Sequence, residues 1–502
     1  MNRESVIIIG GGLAGLATGC YAQLNGYQSH IFEHHAHPGG VAAAWRRGDY
    51  LIDGGIHFVM GHKPGTDLYE LYRELGVVPG VAFRDLAAYG RIVHEAAGRS
   101  VTLTADLDQI GRELKALSPA DATAVDELLA GVRALQGLDM SQFGMARPPE
   151  MMGPLDQLRD LWSMRRLLRY VVGKYGQTVA EYSRRLESPL LATTLQHLFL
   201  PGVPVYFLFM LLALLADGQL GLLEGGCRDF VGAIEKRYRA LGGQITYGAR
   251  VERVLVESDR AVGVGLAEGA PGPPERRAGA VVSAADGRST IFDLLEGRYL
   301  DAKIRKRYET WPRFEPLLMI SYGVERTFPH EPAFHVIILE EPLSVAGHQI
   351  KMLFLRLFNY SDRFAPPGKT VIQVEFDTVW DYWNDLQGTD RAAYEAEKER
   401  VAAQVLARLE AHYPGLAAQV EVTDVSTPYT TWRYTLNDQG SWEGWLMTPK
   451  TMTSAVERTL PGLGDFYMAG QWVMPGGGVP PVLYSGRHAI QLLCRRDGKP
   501  FR

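Results

Sequence analysis

Residues 6–33 read "VIIIGGGLAGLATGCYAQLNGYQSHIFE": a short apolar run, a glycine cluster, a stretch of small residues, and a second run that ends in an acid. The order predicts strand, tight turn, helix and parallel strand, a βαβ unit at the start of the chain. Gly10, Gly12 and Gly15 carry the GxGxxG spacing, and each has a task. Gly10 permits the turn, Gly12 lets backbone approach a pyrophosphate, and Gly15 lets helix and strand pack closely. The helix N-terminus faces anionic phosphates, and Glu33 can accept hydrogen bonds from an adenosine ribose. A purely structural glycine turn is the competing reading. Strand before, helix after and acid at the right distance favour a dinucleotide site.

Working outward, Gly39 and Gly40 follow the second strand, then Asp53, Gly54 and Gly55, with Trp45, Arg46 and Arg47 between them as a cluster placed to face phosphates. Two surface turns would use the same glycines, but their closeness to the nucleotide unit argues against that. "EGGCRDFVGAIEKRYRALGGQITYGARVERVLVE", residues 224–257, predicts a turn, an amphipathic helix and a strand over about 245–256. "AVVSAAD" at 280–286 predicts a short buried strand, and the C-terminal "FYMAGQWVMPGGGVPPVLYSGR", residues 466–487, a strand and then a helix from about 483 to 495. Residues 105–195 read as mostly helical. Residues 315–426 read as antiparallel strands, "PLLMISYGV", "HQIKMLFLRLF" and "KTVIQVEFDTVW", followed by a long helix, "RAAYEAEKERVAAQVLARLEAHY". "LAEGAPGPPERRAG" at 266–279 is a hairpin loop or surface excursion.

The 502 residues, 46% hydrophobic and 22% charged, suffice for a sizeable core in two interleaved domains. A net charge of −5 gives no general electrostatic reason to bind nucleic acid. Cys20, Cys227 and Cys494 lie far apart with no CxxC pair, so disulfide framework, zinc site and redox dithiol are all disfavoured, and no metal site is expected. The N-terminus enters a strand without a secretory pattern, which predicts a cytoplasmic protein. "LFLPGVPVYFLFMLLALLA" at 198–216 is uncharged, but Pro201 and Pro204 leave a helix of only about 205–216, too short for roughly 30 Å of hydrocarbon. A buried helix, a tunnel wall and a segment dipping into one leaflet are the readings left.

The chain resembles the flavoprotein family of phytoene desaturases, carotenoid isomerases and retinol saturases, a branch of the amine-oxidase-like fold. The residues that carry the likeness are "VIIIGGGLAGLATG", "PGG" at 38–40, "DGGIHF" at 53–58, residues 224–245, "VVSAAD" at 281–286, "STPYTTWRYTLNDQGSWEGW" at 426–445, and the C-terminal stretch. The resemblance implies FAD and an α/β fold: a Rossmann-like FAD-binding domain of glutathione-reductase type, with an inserted α+β substrate domain containing a mixed or antiparallel sheet. It implies an FAD-binding domain at 1–75, 224–292 and 455–502, and a substrate domain at 76–223 and 293–454 whose part at 155–223 is helical and faces a membrane. Cofactor contacts carried over are Gly10, Gly12, Leu13, Ala14, Gly15, Glu33, His34, Gly39, Gly40, Val251 through its backbone, Ala284, Gly470, Gln471, Gly478, Val479 and Pro480. The three glycines 476–478 are expected to clear side chains from a flat ring, with Pro480 and Pro481 fixing the chain's direction before the last helix. Val41 and Gln471 depart from the family pattern.

Such enzymes move a hydride between a long apolar polyene and the flavin, while a proton leaves or joins the neighbouring carbon. His57 is the candidate proton donor or flavin neighbour; a histidine satisfied by a backbone carbonyl competes with it and is preferred from residue type alone. Tyr484 and Trp472 are further candidates to contact flavin or substrate, packing being the ordinary role of such aromatics. The expected substrate is a hydrophobic isoprenoid, held in a tunnel built from residues 203–216 and the aromatic "WDYWNDL" at 380–386. Arg159, Arg165, Arg166, Arg169 and Lys174 alternate with apolar residues as in a basic helix lying peripherally on the inner face of a membrane; a solvated helix packed on its domain shares that pattern. "GVGLAE" at 263–268 lacks the last glycine of a second fingerprint, so electrons pass to or from an external quinone, oxygen or reductase. The rivals are an oxidase or cyclase acting on an amine or another apolar metabolite, and a lipid or prenyl-protein carrier without redox chemistry. Gly12→Val is expected to abolish flavin binding, read from the visible spectrum of the purified variant; full retention of flavin would refute the placement of the pyrophosphate.

Overall fold

A computed structural model describes residues 4–137, 145–153, 155–156, 162, 170, 173–452 and 454–502. Strand Ser5–Ile9 is the centre of a five-stranded parallel sheet. Gln28–Phe32 flanks it on one side and Ala280–Ser283 on the other, with Gln244–Thr246 and Phe466–Met468 at the edges. Side chains alternate across a strand, and here they feed two cores. Val6 and Ile8 join Leu16, Ala17 and Cys20 of the helix Leu13–Leu24. Ile7 and Ile9 pack with Val254, Val264 and Leu266 of a three-stranded antiparallel sheet on the opposite face. A parallel sheet needs both faces covered, and this one has them. Gly10 leaves the carboxyl end of the central strand where the chain order reverses, the place where open α/β sheets bind ligands.

The helix Leu13–Leu24 is closed in by Gly226–Ala240 and by the last helix, Val479–Arg496. The last contact is backbone on backbone. A Cβ on Gly486 would lie 2.7 Å from the Thr18 nitrogen and 2.8 Å from the Ala14 oxygen.

A seven-stranded mixed sheet forms the second layer system, in the order Val420–Ser426, Leu317–Val324, Thr370–Asp377, His348–Leu357, Phe334–Val345, Ala88–His94, Arg99–Thr104. Its pairs are antiparallel except Phe334–Val345 with Ala88–His94, which run parallel. One face buries Ile320, Leu353, Leu355 and Val374 against Val401, Val405 and Leu409 of the helix Arg391–His412.

Several sequence expectations need correction. The strand expected over 245–256 is two strands in two sheets, Gln244–Thr246 and Val251–Glu257, broken at Gly248 with φ of +64°. The last helix starts at Val479, before the prolines, because the first turn of a helix has no use for its N–H groups and accepts Pro480 and Pro481 inside it. The strand Phe334–Val345 and the hairpin of Ala88–His94 with Arg99–Thr104 escaped the periodicity reading. "WDYWNDL" builds no tunnel: Trp383 is buried in the second core, its Nε1 donating to Thr378 Oγ1 at 2.9 Å.

Helix Val205–Ala216 combines two of its three readings. Phe209, Leu211, Leu212 and Leu215 are fully buried, while Tyr206, Phe207 and Met210 line a cavity. Among the described residues no helix is long and apolar enough to cross a membrane. Arg159, Arg165, Arg166 and Arg169 lie outside the described residues; Lys174 donates to Glu127. All three cysteines are buried and free.

Gly486→Ala forces the first and last helices apart at a contact that carries no flexible side chain. We expect a loss of about 1–3 kcal/mol, read as a lower melting temperature, with Gly388→Ala as the control because nothing lies within 4 Å of its would-be Cβ and its φ is not positive.

Candidate active site

One cavity of about 1750 Å³ runs from the end of the central parallel strand to the seven-stranded sheet. Pockets for a single small ligand hold about 300–1,000 Å³, so there is room for an extended cofactor and a second molecule. Gly10, with φ of +95°, makes a turn that a side chain would strain, and a Cβ there would come within 3.2 Å of the Ala284 oxygen. Gly12 meets nothing closer than 3.8 Å, so the space beside it stays open to a ligand. Gly39 N donates to the Gly11 oxygen at 3.0 Å, which sets the second glycine pair against the first.

Glu33 is 8% exposed, and its carboxylate accepts from the backbone N–H groups of Gly11 and His35. Burial pushes its carboxyl up from the usual range, and those two hydrogen bonds oppose the push. The walls at this end also include Leu13, Ala14, His34, Gly40, Val251 and Ala284. Gly15 stays out of the cavity wall: its would-be Cβ lies 1.9 Å from the Gly10 oxygen, so it serves the turn and the close packing of helix on strand. Trp45 Nε1 and Arg47 Nε both donate to Asp424, at 3.0 and 2.6 Å, tying this hairpin to the seven-stranded sheet. Trp45, Arg46 and Arg47 all line the cavity, and Arg46 donates to the Asp49 oxygen.

The far end is built by the C-terminal stretch. Gly470, Gln471, Gly478, Val479 and Pro480 all line the cavity, and Gly470 N donates to Ser485 Oγ at 2.6 Å. The three consecutive glycines have a reason beyond the one expected. All three have positive φ, and a Cβ on Gly476 would strike Met447, while one on Gly477 would lie 2.6 Å from the Glu443 oxygen. Only Gly478 has open space before it, with Glu443 Oε1 at 3.8 Å. The glycines are demanded by the protein's own crowded chain, and all three also line the cavity. Trp472 lines the cavity, whereas Tyr484 is buried away from it.

His57 lies on the cavity wall, its side chain 26% exposed, with Nε2 at 2.9 Å from Glu375 Oε2. Its partner is therefore a carboxylate, not the backbone carbonyl preferred from sequence. Glu375 also accepts from Arg356 Nη1 at 3.3 Å, and Arg356 reaches Gln373 Oε1 at 2.8 Å and the Ile56 oxygen at 3.2 Å. Gln373 Nε2 in turn donates to the Asp53 oxygen at 3.0 Å. Burial raises the Glu375 carboxyl, but His57 and Arg356 outweigh it and hold the group down at about 2.

The Asp53 carboxylate accepts from Cys227 N and from the Cys227 thiol, the latter at 3.1 Å. A Cβ on Gly226 would fall 2.1 Å from Asp53 Oδ2. The DGG and EGG segments thus lock into one another, which is what positions His57. Sequence reasoning missed Glu375, Arg356 and Glu443. The first two sit in strands that read as ordinary alternating sheet; Glu443 had a signal, being the one charge inside "SWEGWLM".

The comparisons agree with this geometry. The family described as flavin containing amine oxidoreductase matches residues 13–493. The chain is 24% identical over 506 residues to the chloroplastic prolycopene isomerase of Daucus carota, covering 97% of this chain and 79% of that one. It is 25% identical over 526 residues to the zeta-carotene-forming phytoene desaturase of Myxococcus xanthus, covering 97% and 93%. Among solved structures, cyclohexylamine oxidase from Brevibacterium oxydans superposes with a TM-score of 0.58 at 15% identity over 99% of both chains.

Glu375→Gln leaves the buried Arg356 without its carboxylate and is expected to cost about 3–5 kcal/mol. The sign of the pH effect follows from a carboxyl displaced downward from 4.5 to about 2: its contribution is complete above pH 4.5 and is lost as pH falls toward 2. At about 1.4 kcal/mol per pH unit this is about 3 kcal/mol. Calorimetry across acid pH should show that loss in the wild type and a flatter profile in Glu375→Gln.

Proposed function

Because this chain belongs to the flavin containing amine oxidoreductases and is an FAD-dependent oxidoreductase, we propose that it acts on carbon–carbon bonds of a hydrophobic polyene of carotenoid or retinoid type. The observation that carries this reading is the apolar part of the cavity lining, which includes Phe58, Met60, Met145, Phe199, Tyr206 and Phe207. Such a surface binds an extended apolar chain by excluding water from it and offers few partners to a polar one. The most similar relatives described above are named for prolycopene and zeta-carotene, which supports the same class.

The fit to FAD rests on the open backbone at Gly12, the buried Glu33 carboxylate and the clear space before Gly478. Gly10, Gly12, Glu33, Gly39 and Val251 would hold the nucleotide half, and Gly470, Gln471, Gly478 and Val479 the flavin half. FAD, when bound, supplies the hydride acceptor or donor. The protein's part is to align the polyene, exclude water and manage one proton. His57 is the group assigned to that proton, since its imidazole meets the cavity on one side and Glu375 Oε2 on the other. Desaturation sends two electrons on to a quinone, oxygen or a reductase, saturation draws two from a donor, and isomerisation returns the hydride and needs neither. Delivery of so apolar a substrate fits a protein that rests peripherally on the cytoplasmic face of a membrane.

The test is anaerobic incubation of the FAD-loaded protein with acyclic polyenes, oxidised and pre-reduced in parallel, with products separated by chromatography. Bleaching of the oxidised flavin with a longer chromophore in the product means desaturation, and a shorter chromophore from pre-reduced enzyme means saturation. A new geometric isomer without net flavin change means isomerisation. Turnover of amines with no action on any polyene would overturn the proposal in favour of an amine oxidase. His57→Ala is expected to lower kcat by about 10²–10⁴-fold with flavin still bound.

A further inference from the structure

The segment 441–445 brings a carboxylate into the flavin end of the cavity that neither the motif nor the proton assignment above uses. Glu443 lines the cavity, and its Oε1 lies 3.8 Å from the position of a Cβ on Gly478, the residue that caps the helix Val479–Arg496. Its backbone and Cβ interlock with Gly477, which has no room for a side chain beside them. Gly444 is held in the same way against Gln471. The glutamate is therefore fixed in place while its carboxyl group faces the cavity. Among the described residues that carboxyl has no hydrogen-bond or ion-pair partner, whereas Glu33, Asp53, Asp286 and Glu375 are each held by two or more donors.

We propose that Glu443 is a proton-carrying group of the flavin site, which donates a hydrogen bond toward the bound flavin when neutral and sets a negative charge against it when ionised. The inference rests on the FAD reading, not on the polyene. A carboxyl half-buried in the cavity wall without donors holds its proton more tightly, because little there replaces the hydration of the charged form. Burial alone pushes Glu443 up to about 8. No charged side chain alters that value, and Gly477 and Gly478, which lie against Glu443, are neutral. The nearest fixed dipole is the N-terminus of the last helix, which favours the ionised form and lets the group titrate within an accessible range. Negative charge on the reduced flavin is then opposed by ionised Glu443 and tolerated by the neutral acid, so the flavin's reduction potential falls more steeply with pH where Glu443 ionises.

The experiment needs no substrate. FAD-loaded wild type is titrated through a range spanning pH 8 while the visible flavin bands and the reduction potential are recorded, and Glu443→Gln is treated identically. A spectral transition in the wild type that is absent from Glu443→Gln, with the steeper stretch of the potential removed as well, is the expected result. The same transition in Glu443→Gln, or none in a wild type carrying full flavin, would overturn the inference. If Glu443→Gln does not retain FAD, Glu443→Asp decides: a shifted midpoint supports the proposal and an unchanged one refutes it. A failed polyene assay with an intact titration would sink the substrate reading and leave Glu443 where it is.

Discussion

The structure depends on a buried ionic junction. Asp53, Arg356 and Glu375 are 1%, 2% and 5% exposed, and Arg356 joins the strand Tyr50–Asp53 to the seven-stranded sheet, donating to the Asp53 backbone oxygen and to the Glu375 carboxylate. Charges removed from water are costly unless paired and hydrogen-bonded, and each of these has several donors or acceptors. Asp53 takes backbone N–H groups from Gly55 and Cys227, which come from segments far apart in the chain. Arg356 spans to Gln373, Glu375 and the Ile56 carbonyl. Removing Arg356 or Glu375 leaves the other as a buried charge without its ion-pair partner, so the junction fixes a single relative placement of its parts.

That placement is what makes the cavity a site. The loop after Tyr50–Asp53 carries His57, and the junction holds its ring against Glu375 with Phe354 at its edge, ring centroids 5.3 Å apart. A histidine on a free loop would lose that geometry to rotamer disorder. The apolar helix Val205–Ala216 forms another side, and its dual use follows from being hydrophobic all round: one face packs on Ala122–Leu135, and another is left for the cavity.

The flavin end is governed by backbone crowding. Three glycines with positive φ thread between Met447, Glu443 and the start of the last helix. The same crowding immobilises Glu443 and points its carboxyl at the cavity. A glycine run that looks like room for a ligand is here first a solution to a steric problem inside the protein.

The βαβ unit and its glycines were legible in the amino-acid order alone, because every interaction that makes them is local: a turn at Gly10, packing at Gly15, an acid one strand later. The boundaries of the helix Val205–Ala216 and of the strands Leu317–Val324, His348–Leu357 and Thr370–Asp377 were legible too, since proline and period-two patterning act within a few residues. The tertiary structure alone decided that His57 meets Glu375, 318 residues away, that Gly226 is small because Asp53 lies against it, and that "WDYWNDL" faces a core instead of a substrate. These are contacts between distant segments, and residue type and spacing carry no record of which distant group will arrive.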